Sequence, residues 1–349
     1  MDNIWRVRSI YILKKLVQMG VALIFLSVAV FIIARACPGD PLLAYYGEGV
    51  EHMSSAEKLA ARQRLGLDDS LLQQYMRWAG DLFQGELGLS YQYKQPVLSV
   101  ISGVWINTLI LGLVSYFLTF GLAIALGMFC AMREDHTADR IICKAGVISA
   151  NIPSFFLALL LILIFAVNLH LLPAGGAYSL GEKYNFWDRI VHLILPTAVM
   201  VLQHLWYYAY LVRNKLIEET RKDYVLLCKA EGIPRRVIMK KHCFKNILPS
   251  LLVIMAISVP HILGGTYVVE MVFSYPGLGT LSFESAMYQD YNMLMALTLL
   301  TGAVVLFFNM AAQALSQWID PRMEYERNFT KETRLMRKTD AAERKGAAV

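Results

Sequence analysis

Six long stretches of the chain are almost entirely apolar, and polar or charged stretches separate them. A helix needs about 20 apolar residues to cross roughly 30 Å of hydrocarbon, and each of the six reaches that length. Backbone groups inside a bilayer must be hydrogen-bonded within their own segment, so the pattern predicts an all-α membrane protein with six transmembrane helices. We place these spans at residues 16–36, 104–132, 145–169, 191–212, 247–269 and 292–318.

The polar stretch after the first span, residues 37–103, predicts a small and partly helical cap. Ser54 and Glu57 form a capping-box pattern at the start of "SSAEKLAARQRLGL", and "LLQQYMRWAGDLF" predicts a second, amphipathic helix. So few residues bury too little apolar surface for a dedicated ligand-binding domain. The first span lacks a small-residue cleavage pattern, and we interpret it as a retained anchor.

Composition supports a bilayer as the environment of this chain. Of the 349 residues, 56% are hydrophobic and 17% are charged; soluble domains usually carry about 25% charged residues. The 5 cysteines show neither a CxxC pair nor His/Cys ligand spacing, which argues against a disulfide framework or a zinc site. Nothing in the sequence predicts a bound metal or cofactor.

The net charge of +6 is explained by where the lysines and arginines lie. With six spans, both termini share one side with residues 133–144 and 213–245, and that side holds 25 of the 33 cations. The positive-inside rule places that side in the cytoplasm, so no nucleic-acid partner is needed to explain the charge. The predicted organisation is a cytoplasmic N-terminus (1–15), the first span (16–36), an extracytoplasmic segment (37–103), a core of five spans (104–318) and a partly disordered cytoplasmic tail (319–349).

Several kinds of chemistry are missing from the sequence. No Asp, Glu, Lys or Arg lies in the central part of a predicted span, and the only histidines there are His204 and His261. Ion-coupled carriers generally need such groups, which disfavours a proton-driven carrier. The dipeptide Gly-Lys does not occur, so a P-loop ATPase is excluded, and no HExxH or GxSxG motif indicates an enzyme. Any energy source must come from another protein.

One segment between the fourth and fifth spans is basic where its neighbours are apolar. "DYVLLCKAEGIPRRVIMKKHCFKNILPS", residues 223–250, predicts two short helices, with Gly232 ending the first and Pro234 opening the second. In the first helix Tyr224, Leu227 and Cys228 form the predicted apolar side. Two interpretations are open: an amphipathic segment on lipid headgroups, or a knob that docks into a cytoplasmic partner, with small residues at Ala230 and Gly232 allowing close approach.

This segment resembles the "EAA" loop of permease subunits in binding-protein-dependent ABC importers. The closest likeness is to the oligopeptide/dipeptide/nickel branch, in "DYV", "KAEG", "RR", His242, "KN" and "LP". Further family-like segments follow in the family's order: "CPGDP", "IPSFFLALLLILIF", "LLPAGG", "GGTYVVEMVFSYPGLG" and "ALSQWIDPRM". The chain departs from the family at Leu227 and Cys228, where small residues are usual, and in a longer tail.

The resemblance implies a function and a set of partners. The chain would be one permease subunit of an ATP-driven importer in a bacterial or archaeal cell membrane, working with a second permease subunit, two ABC ATPase subunits and an extracytoplasmic binding protein. Di- or oligopeptides are the implied solutes; nickel or a metal chelate is the alternative, and an ATP-independent channel or carrier is the alternative class. The chain itself would not be an enzyme.

The resemblance also implies which residues carry the function. The cytoplasmic loop 213–246 would couple the spans to the ATPases through Asp223, Tyr224, Ala230, Glu231, Gly232, Arg235, Arg236 and Lys240. The glycine-rich "FSYPGLG", residues 273–279, would line the outer mouth of the solute pathway. The residues expected along that pathway are His204, His261, Tyr275, Pro276 and Gly277.

Overall fold

The computed structural model describes residues 2–36, 41–64, 66–149, 151–182 and 185–319, and the predictions for Cys37, Lys183 and the tail beyond residue 319 lie outside this part. In the described residues the regular structure is helical, apart from one isolated antiparallel β-bridge between Leu89 and Pro96. The α-helices are α1 Asp2–Ala36, α2 Pro41–Tyr46, α3 Ser55–Arg64, α4 Leu71–Phe83, α5 Val97–Met132, α6 Thr137–Ser149, α7 Ser154–Leu161, α8 Phe186–Thr220, α9 Asp223–Ala230, α10 Arg235–Val237, α11 Phe244–Val272, α12 Leu278–Met287 and α13 Tyr291–Ile319.

The predicted all-α membrane architecture is confirmed. Five helices are long and apolar enough to cross a membrane, and a bent pair of helices passes the same test together, which makes six if the pair is one crossing. The five helices are Leu13–Ala36, Val97–Met132, Phe186–Thr220, Arg235–Val272 and Tyr291–Leu315. Several extend beyond the predicted spans, because amphipathic turns at their ends continue the helix after the apolar run stops.

The third predicted span, residues 145–169, differs from the single helix expected. α6 and α7 meet at an angle of 107°, and α7 continues as a π-helical stretch, Ile162–Asn168. Pro153 lies at the break in an extended conformation, with φ −61° and ψ 138°. Proline donates no backbone hydrogen bond and disfavours helical geometry in the residue before it, so the helix restarts at Ser154.

The fifth span starts earlier than the sequence indicates. We expected a separate short helix before Pro249; instead, one helix runs through Arg235–Val272, with a π-helical stretch at Ile238–Cys243 and both Pro249 and Pro260 inside it. Membrane helices tolerate internal proline because neighbouring groups satisfy the freed carbonyls. The second part of the basic segment, from Arg235 onward, and the fifth span are therefore one continuous helix.

Residues 41–64 and 66–103 contain the short helices that the sequence predicts before the second span, α3 and α4, with α2 ahead of them. Ser54 and Glu57 make the expected capping box: the Ser54 backbone N–H donates to Glu57 at 2.8 Å, and the Glu57 N–H donates to the Ser54 hydroxyl at 3.3 Å. A second capping box, between Ser70 and Gln73, begins α4. The end of the cap is anchored to α13 through Asp290, which accepts hydrogen bonds from the Ser90 hydroxyl and from the Met293 N–H.

The packed centre of the molecule lies between α5 and α8. Phe120, Met200 and Tyr208 are buried in its largest apolar cluster. The two helices approach closely at Gly127, where an added Cβ would lie 2.7 Å from the Val212 Cβ. This contact makes α5 and α8 the rigid support for the segment that follows α8.

Candidate functional site: the two ends of α11

The coupling segment, residues 223–246, begins with a sharp change of direction after α8. α8 ends at Thr220, Lys222 is extended with φ −77° and ψ 152°, and α9 starts at Asp223. The Asp223 carboxylate lies in the first turn of α9, where the helix dipole stabilises negative charge. The break sets α9 apart from α8 as a separate short helix.

Gly232 ends α9 in the way the sequence predicts. Its φ is +76°, a left-handed conformation that glycine adopts without steric cost. The Gly232 N–H donates to the Lys229 carbonyl and the Ile233 N–H donates to the Cys228 carbonyl, both at 3.0 Å, which is a Schellman motif. A Cβ at Gly232 would have no neighbour within 4 Å, so within this chain the glycine serves the backbone and the space beside it is open.

The inward face of the coupling segment packs on the ends of α5 and α8. Its buried side chains are Val225, Ile238, Met239 and Cys243. They join one apolar cluster with Ala131 of α5 and with Val212, Leu216 and Ile217 of α8. Burial of these side chains stabilises the segment by about 1.5–3 kcal/mol for each large residue. The coupling segment is therefore packed against the spans along its inner side.

A buried carboxylate joins three parts of this region. Glu219, near the end of α8, is 5% exposed. Its Oε1 accepts hydrogen bonds from the Tyr224 hydroxyl at 3.0 Å and from the Asn246 Nδ2 at 3.1 Å, and its Oε2 lies 2.6 Å from the Lys222 Nζ. α8, α9 and α11 are thus tied to one side chain. Sequence reasoning missed Glu219, because "EETRKD" has the composition of a solvated charge run.

Electrostatics at this junction favour one protonation state. The hydrogen bond to Glu219 raises the pKa of Lys222 above its ordinary value. Burial raises the pKa of the Tyr224 hydroxyl, and its hydrogen bonds to Cys243 and Glu219 raise it further. Lys222 is therefore charged and Tyr224 is a neutral donor at physiological pH, as both contacts to Glu219 require.

The outward face of α9 differs from the predicted one. Tyr224, Val225 and Cys228 point inward, whereas Leu227 is 62% exposed, although we expected it beside Tyr224 and Cys228. The physical reason is the helical turn: with Val225 fully buried, Leu227 lies about 200° away from it. The exposed stripe of α9 consists of Asp223, Leu226, Leu227 and Ala230.

Four further predicted coupling residues, Glu231, Arg235, Arg236 and Lys240, follow α9 in the chain. Glu231, Arg236 and Lys240 are exposed. The Arg235 Nη2 donates to the Ala131 carbonyl at 3.3 Å, one of the last carbonyls of α5 that has no partner within its own helix. Arg235 therefore caps α5, a contact that the sequence did not indicate.

A second buried ion pair supports α8 just before the coupling segment. The Arg213 Nε and Nη2 donate to the two carboxylate oxygens of Asp139, each at 2.5 Å, and Asp139 is 1% exposed. Such bidentate pairs fix both distance and orientation. Asp139 lies on α6, so this contact joins α6 to α8. The sequence carried no signal for it, since pairing across 74 residues depends on the fold.

The two histidines predicted in the pathway lie side by side. His204 of α8 and His261 of α11 have ring centroids 5.4 Å apart, nearly perpendicular to each other. The His204 Nδ1 donates to the Met200 carbonyl at 2.8 Å. His204 is buried and His261 is exposed, so the pair runs from the core to the surface. The sequence predicted both residues but not their contact.

The loop at the other end of α11, residues 273–279, is mostly inside the fold. Tyr275 and Gly277 are buried and Pro276 is exposed. Glu270, which is 0% exposed, accepts a hydrogen bond from the Gly279 N–H at 2.7 Å. A Cβ at Gly277 would overlap the Glu270 carboxylate, so this glycine provides space for a buried acid.

Side chains from α5 and α8 complete the support of this loop. The Asn107 Nδ2 donates to the Pro276 carbonyl at 2.7 Å, and the Arg189 Nη2 donates to the Asn107 Oδ1 at 2.8 Å. The Thr108 hydroxyl accepts from the Leu278 N–H at 2.8 Å. Pro276 and Gly277 line a cavity of about 430 Å³ beside the loop. Whether this cavity belongs to a solute pathway stays a prediction.

The described residues contain no candidate metal site. Within them, no three His, Cys, Asp or Glu side chains are grouped so that they could hold a metal ion. The histidine pair on α8 and α11 is therefore a two-residue contact without further ligands among the described side chains.

Comparison with known proteins assigns the family. Residues 123–325 match the family described as "Binding-protein-dependent transport system inner membrane component". Residues 9–112 match the N-terminal family of the same membrane components. The first match alone covers more than half of the chain and includes both ends of α11.

Two relatives are similar in sequence to this chain along nearly their whole length. The chain is 33% identical over 316 residues to the oligopeptide transport system permease protein AppB of Bacillus subtilis, covering 90% of this chain and 99% of that protein. It is 28% identical over 315 residues to a putative peptide transport system permease protein of Brucella abortus, covering 90% of this chain and 99% of that one.

A solved structure shows the same fold at low sequence identity. The inward-facing MetNI methionine ABC transporter aligns with a TM-score of 0.50 at 16% identity, over 64% of this chain and 97% of that chain. The helices, the match to the family and the similarity to AppB agree. The chain is a multi-pass inner-membrane protein that belongs to the binding-protein-dependent transport system inner membrane components, the permease subunits of ABC importers.

Proposed function

We propose that this permease moves di- or oligopeptides delivered by an extracytoplasmic binding protein, and that two separate ATPase subunits drive it through the coupling segment. A second permease subunit would complete the pathway. Support for peptides as the solute comes from the similar proteins, which are named oligopeptide or peptide permeases. Nickel or a metal chelate is the competing solute for this branch of the family.

The exposed stripe of α9 is the observation that carries the proposal. Leu226 and Leu227 are 61% and 62% exposed beside Ala230 and the open space at Gly232. Leu226 and Leu227 are large apolar side chains on an otherwise charged, basic segment. Protein–protein interfaces have an apolar centre and a polar rim, so this arrangement is typical of a protein contact. We place Arg236 and Lys240 at that rim, with Glu231 next to the tip and Arg235 serving mainly as a cap.

The coupling segment is built to transmit force to the spans. Its inner face is packed on α5 and α8, the Glu219 carboxylate ties α8, α9 and α11 together, and α11 continues from the segment into the membrane without a break. A push on α9 would therefore move α8 and α11 as a rigid body, which is how bistable transporters switch between inward-facing and outward-facing states.

The pathway residues remain part of this proposal. Polar side chains at membrane depth usually face water or the interior of the bundle, which favours a pathway role for the exposed His261 and its neighbour His204. A hydrogen bond between helices is the alternative role. We expect His204→Leu with His261→Leu to change the uptake rate or the peptide preference; if both stay as in the wild type, these residues do not line the pathway.

Orientation follows from the cation distribution and is open to direct labelling. Single cysteines placed in residues 37–103 should react with a membrane-impermeant reagent from outside the cell. Lys229→Cys should react only after the membrane is opened. Strong labelling of Lys229→Cys in intact cells would place the coupling segment outside and contradict its contact with cytoplasmic ATPases.

Reconstitution tests the function as a whole. The permease pair, its ATPases and the binding protein are placed in vesicles, and uptake of labelled peptides and of nickel is measured with and without ATP. We expect peptide uptake that requires ATP, the ATPases and the binding protein. Equal uptake without ATPases would identify a channel or carrier, and uptake of nickel but not of peptides would assign the other solute.

A further inference from the structure

α4 is an amphipathic helix whose apolar side is only partly covered by the rest of the described chain: Tyr75 and Trp78 contact Phe31 of α1, and the side toward Phe83 is open. Its apolar stripe, Tyr75, Trp78, Ala79, Leu82 and Phe83, follows the spacing of one helix face. Such a stripe normally packs into a core, yet no residue of α4 is buried, and Phe83 is 88% exposed. The helix begins with a complete capping box, so it is well formed in its own right.

An apolar cavity lies directly beneath this stripe. Its volume is about 420 Å³, and α1, α4, α5 and α13 all contribute to its walls. The walls include Leu23 and Ile24 of α1, Leu98 of α5, and Leu299 and Ala303 of α13. A volume of this size is within the range that holds a small molecule or a single flexible chain.

The two hydroxyl groups at the cavity are already hydrogen-bonded. The Ser27 hydroxyl donates to the Ile24 carbonyl at 2.7 Å and lies 2.9 Å from the Tyr75 hydroxyl. Ordered water needs two or more polar partners, and cavities lined by Leu, Ile and Phe stay free of water. The occupant that fits this chemistry is therefore apolar.

The cavity is continuous with the lipid-facing surface of the protein. Ile24 lines it and is 61% exposed, and its neighbour Phe25 is 76% exposed. Both lie in the middle of the span Leu13–Ala36, as Leu299 and Ala303 do in the span Tyr291–Leu315. At that depth the surrounding medium is hydrocarbon, so the open side of the cavity faces lipid chains.

We propose that this cavity holds one acyl chain of a membrane phospholipid. Tyr75 and Trp78 line the cavity together with Ser27 of α1, so their rings would contact that chain. The lipid would fill the space between α1 and the five-span core and so would bind α1, which packs mainly on α13, to the rest of the permease.

Native mass spectrometry of the detergent-purified full-length permease, after partial delipidation, tests the proposal. We expect one phospholipid per chain to be retained. Ala303→Phe fills the cavity and should lower that occupancy at least fivefold. Ala311→Phe adds the same bulk at an exposed position of the same helix outside the cavity, and should retain the lipid.

The proposal is overturned if the wild type retains no phospholipid, if both variants retain it equally, or if a second protein chain occupies the cavity. A second measurement does not use Ala303→Phe, so its result does not depend on whether that variant folds. In a variant with Trp78 as the one tryptophan, phosphatidylcholine brominated on its acyl chains is titrated into detergent-solubilised protein. Saturable quenching supports a bound chain, whereas quenching that rises linearly with lipid contradicts it.

Discussion

The two ends of α11 contain the same two features, a glycine and a buried carboxylate, in different surroundings. Each end has a glycine and a buried carboxylate nearby: Gly232 and Glu219 before the helix begins, and Gly277 and Glu270 where it finishes. At the start the carboxylate is paired with Lys222 and the glycine faces open space. At the finish the glycines touch the carboxylate itself. The comparison indicates that the first end leaves room for another protein, while the second is filled by its own chain.

The largest effect is expected from removing the carboxylate at the start of α11. Glu219→Leu leaves the Asn246 amide without this acceptor, at a cost of about 1–3 kcal/mol, and leaves the Tyr224 hydroxyl with the weaker Sγ acceptor of Cys243. Hydrogen exchange of residues 223–246 should become faster, and ATP-driven uptake should fall. Glu219→Gln retains an acceptor oxygen and should be milder. Equal, wild-type exchange in both variants would show that Glu219 does not hold the segment.

The next effect concerns the glycines at the finish of α11. A Cβ at Gly279 would lie 2.6 Å from the Tyr267 Cα, so Gly279→Ala should destabilise the protein by about 1–3 kcal/mol through overpacking. The readout is the thermal unfolding midpoint in detergent. Gly264→Ala is the matched control, because nothing lies within 4 Å of that position. If Gly264→Ala lowered the thermal unfolding midpoint as much as Gly279→Ala, the close contact at Gly279 would not be the cause of the destabilisation.

A moderate effect is expected when Glu270 is changed. Glu270→Leu leaves the Gly279 N–H buried without an acceptor, which costs about 1–3 kcal/mol. Glu270→Gln can still accept that hydrogen bond and should unfold at a midpoint closer to the wild type. If Glu270→Leu were as stable as Glu270→Gln, the loop 273–279 would be held by Asn107 and Thr108 without help from the acid.

The smallest effect is expected for Arg235→Ala. This change removes one half-exposed hydrogen bond to the end of α5, worth about 0.5–1.5 kcal/mol. Uptake and ATPase retention should stay near wild type. A large loss of retention with unchanged stability would move Arg235 from a capping role to the centre of the contact.

Sequence reasoning succeeded where length and composition decide the outcome. The apolar runs predict the spans because a bilayer leaves the backbone no alternative to a helix. Pro153 and Pro249 show the limit: the helix breaks at the first and continues through the second. Whether a helix breaks or continues at a proline depends on the helices packed around it, and the sequence alone does not show that packing.

The candidate site was predictable in its backbone but not in its buried polar contacts. Gly232 and Pro234 have strong local preferences, so the turn after α9 was predicted correctly. Glu219, Asp139 and Glu270 look like ordinary charged residues in the sequence, and their burial depends on how the helices pack around them. The partner of Asp139, Arg213, is 74 residues away. The apolar side of α9 was predicted wrongly at Leu227, because four apolar residues in a row fit more than one helical face.

The most direct test of the docking role is the amount of ATPase that co-purifies with Gly232→Glu. The matched control is Gly85→Glu, since Gly85 has a φ of +84° and equally open surroundings, so it carries the same backbone strain and added charge. We predict that Gly232→Glu, inserted and folded, loses at least tenfold of its bound ATPase, whereas Gly85→Glu retains it. Normal ATPase retention and normal uptake in Gly232→Glu would contradict docking at the tip of α9.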